Sequence, residues 1–372
     1  MHAEHDVVIY GGGMAGAILA KQLSKDLKVA LVDPRDFFEV PMAVPRNMVE
    51  PAFAEFSTVP FSQALPGVTV VQGLLSEWTA DGGMVTSADG LTRQLQGKVN
   101  VLATGSQFAN PMMRPATGSR TERLAFYLRY ASRITQSKCI LIVGGGPIGV
   151  EMAGEISSRY PSIHITLLES GSRILMGTTE AASRHASAVL EQRQVEVCTN
   201  DRLVTMPDTG VDMLMRGGEV VTQQGRRITY DMLLLCTGAR PNTAYMNGHY
   251  SNVLDDHARI RVTPSLRVVG ESALFALGDI NNVAENKMAW HVAGQVSCTA
   301  KNVRRVLAGR VDEADLAAYQ AKTGNPAMAV TLGPEAGMVY LPPVGLITAG
   351  WINRRIKARH MLVPKYRKIL GV

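Results

Sequence analysis

The chain lacks the residue patterns that cross-link a protein or anchor it in a membrane. Only four of its 372 residues are cysteines, and no pair has the spacing of a CxxC or zinc motif. Neither a redox dithiol nor a metal site is therefore predicted, and a reducing compartment is the simpler environment. The longest strongly apolar stretch near the C-terminus, residues 345–352, is too short to span a bilayer. No signal-peptide pattern is present, and His2 stands where N-myristoylation requires glycine. We expect a cytoplasmic protein, at most peripheral to a membrane.

Aromatic residues make up only 6% of the chain and charged residues 19%, whereas glycine is abundant, at 35 residues. This composition is that of a soluble α/β enzyme rather than a disordered or collagen-like chain. Residues 351–372 contain seven Lys or Arg and no acidic residue. We call this segment the basic tail. Without those seven, the 38 basic residues fall to 31, against 32 acidic residues. The net charge of +6 is thus local, which disfavours a protein that coats nucleic acid.

A strand, a glycine-rich loop, a helix and a second strand follow one another at the N-terminus. An apolar strand at 7–10 leads into GGGMAG at 11–16, and the next strand ends at Asp33. In a GxGxxG loop the first glycine permits a tight turn, the second lets the backbone approach a pyrophosphate, and the third lets the helix pack on the sheet. The acid can accept hydrogen bonds from ribose hydroxyls. The predicted cofactor-binding residues of this unit are Gly11, Gly12, Gly13, Ala15, Gly16 and Asp33.

The same unit recurs 133 residues further along the chain. A strand at 139–143 leads into GGGPIG at 144–149, and the following strand ends at Glu169. Thr-Gly turns after apolar strands repeat at the same offset, and a later strand ends in Leu-Gly-Asp. Two complete copies are far more specific than a single GxGxxG. The predicted binding residues in these segments are Ala103, Thr104, Gly105, Gly144, Gly146, Pro147, Ile148, Gly149, Glu169, Gly238, Gly278 and Asp279.

The order of these pieces resembles the two-dinucleotide-binding-domain flavoproteins of glutathione-reductase-like fold. The resemblance implies an α/β fold with two Rossmann-like domains and a small α+β C-terminal domain. The first unit would bind FAD, the second would bind NAD(P)H, and the late Gly-Asp would return to FAD. Because the second unit is inserted into the first, the implied boundaries are 1–108 and 244–310 for the FAD-binding domain, 109–243 for the NAD(P)H-binding domain, and 311–372 for the C-terminal domain.

Four segments sharpen this resemblance. They are similar to the apoptosis-inducing-factor-like group, which includes ferroptosis-suppressor-like proteins, and they span residues 32–38, 43–46, 287–289 and 355–359. The resemblance implies FAD contacts at Arg35, Arg46, Met288, Ala289 and the backbone of Leu75. It places Glu151 beside the nicotinamide and the flavin edge. A surface arginine at position 46 and an ordinary helix-start acid at position 151 are the alternatives.

The missing dithiol disfavours disulfide reduction and leaves hydride transfer from nicotinamide to flavin, then electron transfer to another acceptor. The helix that begins near Lys287 is expected to direct backbone N–H groups at the isoalloxazine, where they would stabilise negative charge. His291 either gives a proton to a reduced quinone or is a packed structural histidine. Glu169 favours NADH, although nearby Arg173 leaves NADPH open. The predicted catalytic residues are Glu151, Lys287 and His291.

The basic tail has two candidate partners. We expect short strands at 326–341, then a helix at 345–359, which Pro364 breaks before residues 366–370. Cations mixed with apolar residues suit anionic lipid headgroups, at about 1 kcal/mol for each cation. The leading hypothesis is an FAD-dependent NAD(P)H:quinone oxidoreductase at a membrane surface.

Three alternatives remain open beside this hypothesis. The first is a redox-linked signalling protein that binds nucleic acid, which the neutral body and the absence of a helix-turn-helix disfavour. The second is a reductase of a small iron–sulfur protein, whose acidic surface would suit the basic tail. The third is a solvated basic C-terminus without a partner. The sequence leaves the oligomeric state open.

Overall fold

The computed structural model describes residues 4–110, 112–113, 118–206, 216–324 and 327–372. Its strands, in chain order, are β1 (Val7–Tyr10), β2 (Val29–Asp33), β3 (Phe37–Glu39), β4 (Thr58–Pro60), β5 (Thr69–Gln72), β6 (Leu74–Thr79), β7 (Gly82–Thr86), β8 (Thr92–Leu95), β9 (Val99–Leu102), β10 (Ser106–Phe108), β11 (Cys139–Val143), β12 (His164–Leu168), β13 (Val195–Cys198), β14 (Gly218–Val221), β15 (Arg227–Tyr230), β16 (Met232–Leu235), β17 (Ala239–Pro241), β18 (Leu274–Ala276), β19 (Met328–Thr331), β20 (Gly337–Leu341) and β21 (Gly345–Ile347).

The α-helices are α1 (Met14–Leu23), α2 (Val44–Val49), α3 (Phe53–Ser57), α4 (Phe61–Ala64), α5 (Arg120–Gln136), α6 (Pro147–Arg159), α7 (Glu180–Gln192), α8 (Ala289–Leu307), α9 (Gly350–Asn353) and α10 (Val363–Leu370). A π-helical turn, Arg354–Ala358, lies between α9 and α10. No helix within the described ranges is long and apolar enough to cross a membrane.

The first sheet is parallel and has the strand order β18-β9-β1-β2-β5. Every residue of β1, β2 and β9 is buried, which explains their continuous apolar sequences, because a parallel sheet is covered on both faces. α1 and α8 pack together beside this sheet. Since β18 comes from late in the chain, the sheet combines segments on either side of the second sheet in sequence.

The second sheet repeats this arrangement, with the parallel order β13-β12-β11-β16. Its central strand, β11, coincides with the predicted strand at 139–143, and Ile140 pairs with Ile165 on one side and Met232 on the other. α6 follows the second glycine-rich loop as α1 follows the first. The predicted fold of two Rossmann-like units is confirmed.

The third part is a small antiparallel sheet, β19-β20-β21, followed by α9 and α10. The short strands expected at 326–341 are present as β19 and β20, with residues 325–326 outside the described ranges. The helix predicted over 345–359 is wrong at its start, because Gly345–Ile347 pairs with β20 as β21.

Pro364 begins a helix instead of breaking one. It lies in the first turn of α10, where a helix needs no backbone N–H donor. Tyr366 and Leu370 of α10 are buried in the core of the first sheet. The basic tail is therefore a folded part of the molecule, and the prediction of a solvated appendage does not describe its helix.

Candidate active site

The two glycine-rich loops have the same backbone conformation. Gly11 has φ +109° and Gly144 has φ +108°, in the region where side chains are strained. A Cβ on Gly11 would collide with the carbonyl oxygen of Ala103, and one on Gly144 would collide with that of Cys236. Each loop therefore turns tightly against the end of the neighbouring strand. The repeat seen in the sequence is a repeat of geometry.

Each loop ends at an open helix N-terminus. Gly13 and Gly146 are the N-cap residues of α1 and α6, and no side chain caps either helix. Neither helix has an acidic residue in its first turn. A Cβ on Gly146 would meet no atom within 4 Å, so the backbone there faces open space. Uncapped N–H groups at a helix start bind phosphate well. Both cradles thus fit the pyrophosphate of a dinucleotide.

The acid at the end of each second strand holds its own loop. Asp33 Oδ2 accepts from Gly12 N at 2.6 Å, and Glu169 Oε2 accepts from Gly145 N at 2.7 Å. The two acids differ in what else they bind. Arg35 donates to both oxygens of Asp33, at 2.8 and 3.0 Å, and both side chains are buried. A ribose hydroxyl at Asp33 would have to displace Arg35. Glu169 is less buried and has no ion pair with any cation of the described residues, so its carboxylate keeps accepting capacity.

One cavity of about 930 Å³ joins the two units and the C-terminal part. Half of the predicted site residues line it. These are Gly13, Ala15, Ala103, Gly105, Pro147, Ile148, Glu151, Gly238, Gly278, Asp279, Lys287, Met288 and Ala289. The other half are not among the lining residues, and they are Gly11, Gly12, Gly16, Asp33, Arg35, Arg46, Leu75, Thr104, Gly144, Gly146, Gly149, Glu169 and His291.

Glu151 forms a buried ion pair with a residue of the basic tail. It is the fifth residue of α6, and its Oε1 accepts from Lys357 Nζ at 2.5 Å. The backbone N–H and the hydroxyl of Thr331 donate to the same oxygen, at 2.9 and 3.1 Å. Lys357 also donates to Ala329 O at 2.9 Å. Sequence reasoning missed Lys357 as a site residue, because only the fold brings positions 151 and 357 together.

The late Gly-Asp motif is held in place by polar side chains that sequence reasoning also missed. Asp279 Oδ2 accepts from the hydroxyl of Ser106 at 2.7 Å. Gly278 N donates to Gln295 Oε1 at 2.8 Å. Gln295 in turn donates to the buried carboxylate of Glu285 at 2.7 Å. These bonds join the turn after β18 to α8, so the cavity wall is a fixed surface on this side.

Lys287 and Arg259 are neighbouring cations on the cavity wall. Lys287 Nζ donates to Asn281 Oδ1 at 3.1 Å and to Val283 O at 3.0 Å. Burial, and after it the like charge of Arg259, lowers the pKa of Lys287 to about 8. Lys287 can therefore change protonation state near neutral pH. No sequence signal pointed to Arg259.

His291 lies next to the cavity but does not line it, whereas its neighbours Trp290 and Val292 do. Its side chain is buried, with Nδ1 3.4 Å from Glu285 Oε2, and neither ring nitrogen has a hydrogen-bond partner in the described residues. This placement suits the packed structural histidine better than direct proton delivery into the cavity. The proton role stays a prediction.

Two further predicted FAD contacts are engaged elsewhere. Nε and Nη2 of Arg46 pair with the two oxygens of Glu155 at 2.7 and 2.9 Å, and Nη2 also donates to Ala358 O. Only Nη1 could reach a cofactor. Leu75 is a buried residue of β6 whose backbone pairs with Val85 of β7. Neither contact is tested by this geometry, and both stay predictions.

No cysteine lines the cavity. All four thiols are free, and three of them are buried. Burial raises the pKa of Cys236 to about 12, which leaves this thiol protonated and unreactive at neutral pH. The described residues contain no cluster of His, Cys, Asp and Glu that could hold a metal ion. The described residues thus place no cysteine thiol at the cavity wall.

Comparisons with known proteins agree with the fold. The family model for pyridine nucleotide-disulphide oxidoreductases matches residues 5–296. Apoptosis-inducing factor homolog B of Dictyostelium discoideum is 27% identical over 377 residues, which cover 97% of this chain and 95% of that protein. Human ferroptosis suppressor protein 1 is also 27% identical, over 94% of this chain and 90% of that protein.

Solved structures share the fold. NDH2 from Plasmodium falciparum, solved in complex with NADH, superposes with a TM-score of 0.72 and covers 99% of this chain and 97% of that one, at 12% identity. A NAD-dependent persulfide reductase from A. fulgidus superposes with a TM-score of 0.69 over 91% of this chain and 64% of that one, at 15% identity. At these identities the likeness is one of fold.

Proposed function

We propose that this protein is an NADH:quinone oxidoreductase that works at a membrane surface. The premise is that the chain belongs to the pyridine nucleotide-disulphide oxidoreductase family and is therefore an NAD(P)H-dependent flavoprotein oxidoreductase. Family membership carries the use of FAD and NAD(P)H. The observation that supports the quinone proposal is one shared cavity. Both glycine-rich units line it, no cysteine lines it, and its outer wall is largely apolar.

The chain offers two dinucleotide cradles with different surroundings. We assign FAD to the first, where α1 begins at Gly13 beside Asp279, and NADH to the second, where α6 begins at Gly146. Bound FAD would accept a hydride from the nicotinamide and pass two electrons to a second acceptor. The side chains that line the cavity would orient the flavin and nicotinamide rings and exclude water. Glu151, held by Lys357, is fixed on the wall between the two cradles.

The preference for NADH follows from two residues of the second unit. Glu169 carries a carboxylate where the adenosine ribose is expected, and it would repel a 2′-phosphate. Arg173 has few donors left for a 2′-phosphate in this conformation, because its guanidinium donates to the backbone oxygens of Leu175, Met176 and Thr178 at 2.9–3.2 Å. The arginine is used to hold its own loop.

The preference is measured by kcat/KM for NADH and NADPH with one electron acceptor. We expect NADH to be favoured by about tenfold or more, since two like charges about 4 Å apart repel by roughly 1–4 kcal/mol between bulk water and a protein surface. Glu169→Gln should reduce the ratio by improving NADPH. Glu180→Gln removes an exposed acid at the start of α7 and should leave the ratio unchanged. Equal use of both nucleotides by the unmodified protein contradicts the assignment.

An apolar ring acceptor suits the outer wall of the cavity. Ile356, Leu362, Tyr366 and Ile369 of the C-terminal part line this wall together with Trp290 of α8. Trp290 is 52% exposed and Ile356 is 41% exposed, so the apolar wall continues to the protein surface. A lipid-soluble quinone would meet these apolar side chains where it enters the cavity.

The acceptor is identified by a two-step experiment without oxygen. NADH is added to the FAD-loaded protein until the flavin absorbance is bleached. A short-chain quinone, a ferredoxin or air is then mixed in, and the return of absorbance is timed. We expect the quinone to reoxidise the flavin fastest. A quinone no faster than oxygen contradicts the proposal, and a faster ferredoxin supports the iron–sulfur alternative.

The surface around this wall suits an anionic membrane. Arg355, Arg359 and Lys368 have exposed side chains with no ion pair in the described part of the chain, and the same tail contains Trp351, which is 71% exposed. A fourth exposed cation, Lys365, lies over the ring of Tyr366. The other three cations of the tail have partners: Lys357 pairs with Glu151, Arg354 pairs with Glu335, and Arg367 donates to the backbone oxygen of Phe56. The surface thus offers fewer cations than the seven in the sequence.

Liposome flotation tests this surface. A full-length triple variant, with Arg355, Arg359 and Lys368 all changed to Gln, should float less than the unmodified protein with vesicles that contain anionic lipid. The matched control changes Lys25, Arg129 and Arg310, which are exposed elsewhere, and should float normally. Substitution is preferable to truncation because α10 is part of the core. Equal flotation of both variants removes the membrane role, and retention on nucleic acid instead would support the signalling alternative.

A further inference from the structure

We propose that Glu285 is a positioning residue for the flavin site and that residues 311–322 hold it in place. These residues, which we call the strap, follow α8 in sequence and lie against it. Glu285 acts through Gln295, which holds the turn that presents Asp279 to the cavity. The proposal rests on the assignment of FAD to the first cradle, because it gives Glu285 a role toward the same cofactor.

The side-chain amide of Gln295 holds the Gly-Asp turn in one orientation of that amide. Its Oε1 accepts from Gly278 N at 2.8 Å and from Asn281 Nδ2 at 2.9 Å. Its Nε2 donates to Glu285 Oε1 at 2.7 Å. A carboxylate has no proton to donate and only accepts hydrogen bonds. Glu285 therefore determines which end of the amide faces Gly278.

The turn at Gly278 depends on this amide. Gly278 has φ +84°, in the region where residues with a side chain are strained, and it lies directly before Asp279. Asp279 lines the cavity, and its Oδ2 accepts from the hydroxyl of Ser106 at 2.7 Å. If the Gln295 amide turned around, its NH₂ group would face the N–H of Gly278, and two donors cannot bond to each other. The turn would then shift and move Asp279 with it.

The strap covers Glu285 and supplies its other hydrogen bonds. The side chain of Glu285 is fully buried. The hydroxyl of Tyr319 donates to this carboxylate, with its oxygen 3.0 and 2.9 Å from Oε1 and Oε2, and Lys322 N donates to Oε2 at 3.2 Å. Burial, and after it the hydrogen bond to Glu285, raises the pKa of Tyr319, so its hydroxyl stays a donor at neutral pH. A buried carboxylate needs such donors, and the strap provides two of them.

The strap has further anchors that do not involve this carboxylate. The backbone of Ala317 exchanges two hydrogen bonds with the side chain of Asn302 in α8, at 2.7 and 2.9 Å. Tyr319 N donates to Pro264 O at 2.7 Å. A Cβ on Gly294 of α8 would lie 3.1 Å from the Tyr319 ring, so the ring packs closely on the helix at a glycine. A substitution that removes only the tyrosine hydroxyl therefore leaves the strap anchored.

The first arm of the test measures how fast the FAD-loaded protein releases FAD, which is followed by the fluorescence of free FAD after dilution. Glu285→Gln should raise the dissociation rate about tenfold or more, because the Gln295 amide is no longer fixed and a buried N–H loses its acceptor. Tyr319→Phe removes one donor to the carboxylate and should raise the rate less, by about threefold. The matched controls are Glu196→Gln and Tyr230→Phe in strands of the second unit, and both should release FAD as the unmodified protein does.

The second arm exchanges the two side chains, and this exchange separates positioning from packing. In Glu285→Gln/Gln295→Glu the carboxylate at position 295 can accept from Gly278 and Asn281. The amide at position 285 can donate to that carboxylate and accept from Tyr319, so each donor again has an acceptor. The FAD dissociation rate should return to within about threefold of the unmodified value, because the two sites act as one coupled pair. The visible circular dichroism of the bound flavin should return with it.

An unchanged dissociation rate in Glu285→Gln overturns the proposal. So does a folded double variant that releases FAD as fast as Glu285→Gln, because packing would then be the cause. Far-ultraviolet circular dichroism reports folding, and if Glu285→Gln does not fold, an unchanged rate in Tyr319→Phe overturns the proposal instead. Unmodified protein that retains FAD but reduces no quinone overturns the quinone proposal alone and leaves the rate measurement valid. Unmodified protein that binds no FAD overturns the cofactor assignment on which both proposals rest.

Discussion

Lys357 and Glu151 form an ion pair between residues 206 positions apart, with both side chains buried. Removing one partner of such a pair leaves a charge without compensation in the interior, which is far more costly than losing an exposed pair. The carboxylate also holds Thr331 of β19. The pair thus joins the second unit to the C-terminal part at the cavity wall.

We predict that Lys357→Met lowers the free energy of unfolding by about 3 kcal/mol or more, because Glu151 is left buried without a cation. The double variant Lys357→Met/Glu151→Gln should recover part of that loss. Urea unfolding of the FAD-loaded protein measures both. Arg354→Met removes the exposed pair with Glu335 and should cost about 1 kcal/mol or less. A Lys357→Met variant as stable as Arg354→Met would contradict the prediction.

The pH dependence of turnover should follow Lys287. Its pKa is lowered to about 8 by burial and by Arg259, while Glu285, Asp279 and Asp255 act in the opposite direction. The charged form, which can stabilise negative charge in the cavity, predominates below this pKa. Turnover should therefore be high below about pH 8 and decrease as the pH rises through 8.

Replacement of Arg259 provides the check on this assignment. Arg259→Gln removes a like charge, so the pKa of Lys287 rises and the decrease in the normalised pH profile should move to higher pH. Arg261→Gln keeps Arg259 in place and should leave the profile where it is. A decrease at the same pH in all three proteins would assign the titration to another group.

At the scale of elements, α10 shows how the basic tail both folds and faces solvent. Its sequence, VPKYRKIL, places some side chains in the core and others in solvent. Tyr366 and Leu370 are buried, while Lys365, Lys368 and Ile369 are exposed. Pro364 suits the first turn because its fixed φ is close to the helical value. The exposed face of α10 lies at the outer cavity wall, and its buried face stabilises the first unit.

Neighbouring residues of α10 should therefore differ in their effect on stability. Leu370→Ala creates a cavity in a fully buried position and should lower the free energy of unfolding by about 2–5 kcal/mol. Ile369→Ala removes a side chain that is 39% exposed and should cost about 1 kcal/mol or less. Denaturant titration compares the two. Equal effects would mean that α10 does not pack as described.

At the scale of the whole molecule, three regions of the chain meet at Arg46. The guanidinium comes from α2, its carboxylate partner Glu155 from α6, and its carbonyl partner Ala358 from the turn before α10. These contacts tie the first unit, the second unit and the C-terminal part into one body. Arg46 is also a predicted FAD contact, but its Nε and Nη2 donate to Glu155 and Ala358 in the structure.

Arg46→Met separates these two roles. We predict a loss of stability of about 3 kcal/mol or more, because Glu155 becomes an unpaired buried carboxylate, and a normal FAD content in the folded protein. Glu155→Met in the Arg46→Met background should restore part of the stability. The ratio of FAD to protein after purification is the second readout. A large loss of FAD from folded Arg46→Met would show that Nη1 binds the cofactor.

Much of the fold and some of the site were predictable because the signals are local. The predicted bounds of strand β11, 139–143, match the structure, and both glycine-rich loops have the predicted tight turn. Both features depend on residues that are neighbours in the sequence. The C-terminal part was predicted less well. Nothing in the residues at 345–347 distinguishes a strand from a helix start until β20 is there to pair with them. The roles of Lys357 and Arg259 had no sequence signal for the same reason.

The amino-acid sequence by itself determined two dinucleotide-binding units, their order, the late Gly-Asp turn and the excess of positive charge at the C-terminus. Tertiary structure alone decided where those charges act. Folding buries Lys357 against Glu151, leaves Arg355, Arg359 and Lys368 at the surface, and brings Arg259 beside Lys287 in the cavity. The physical reason is that turns and strands depend on adjacent residues, whereas the partner of a charge depends on which distant segments pack together.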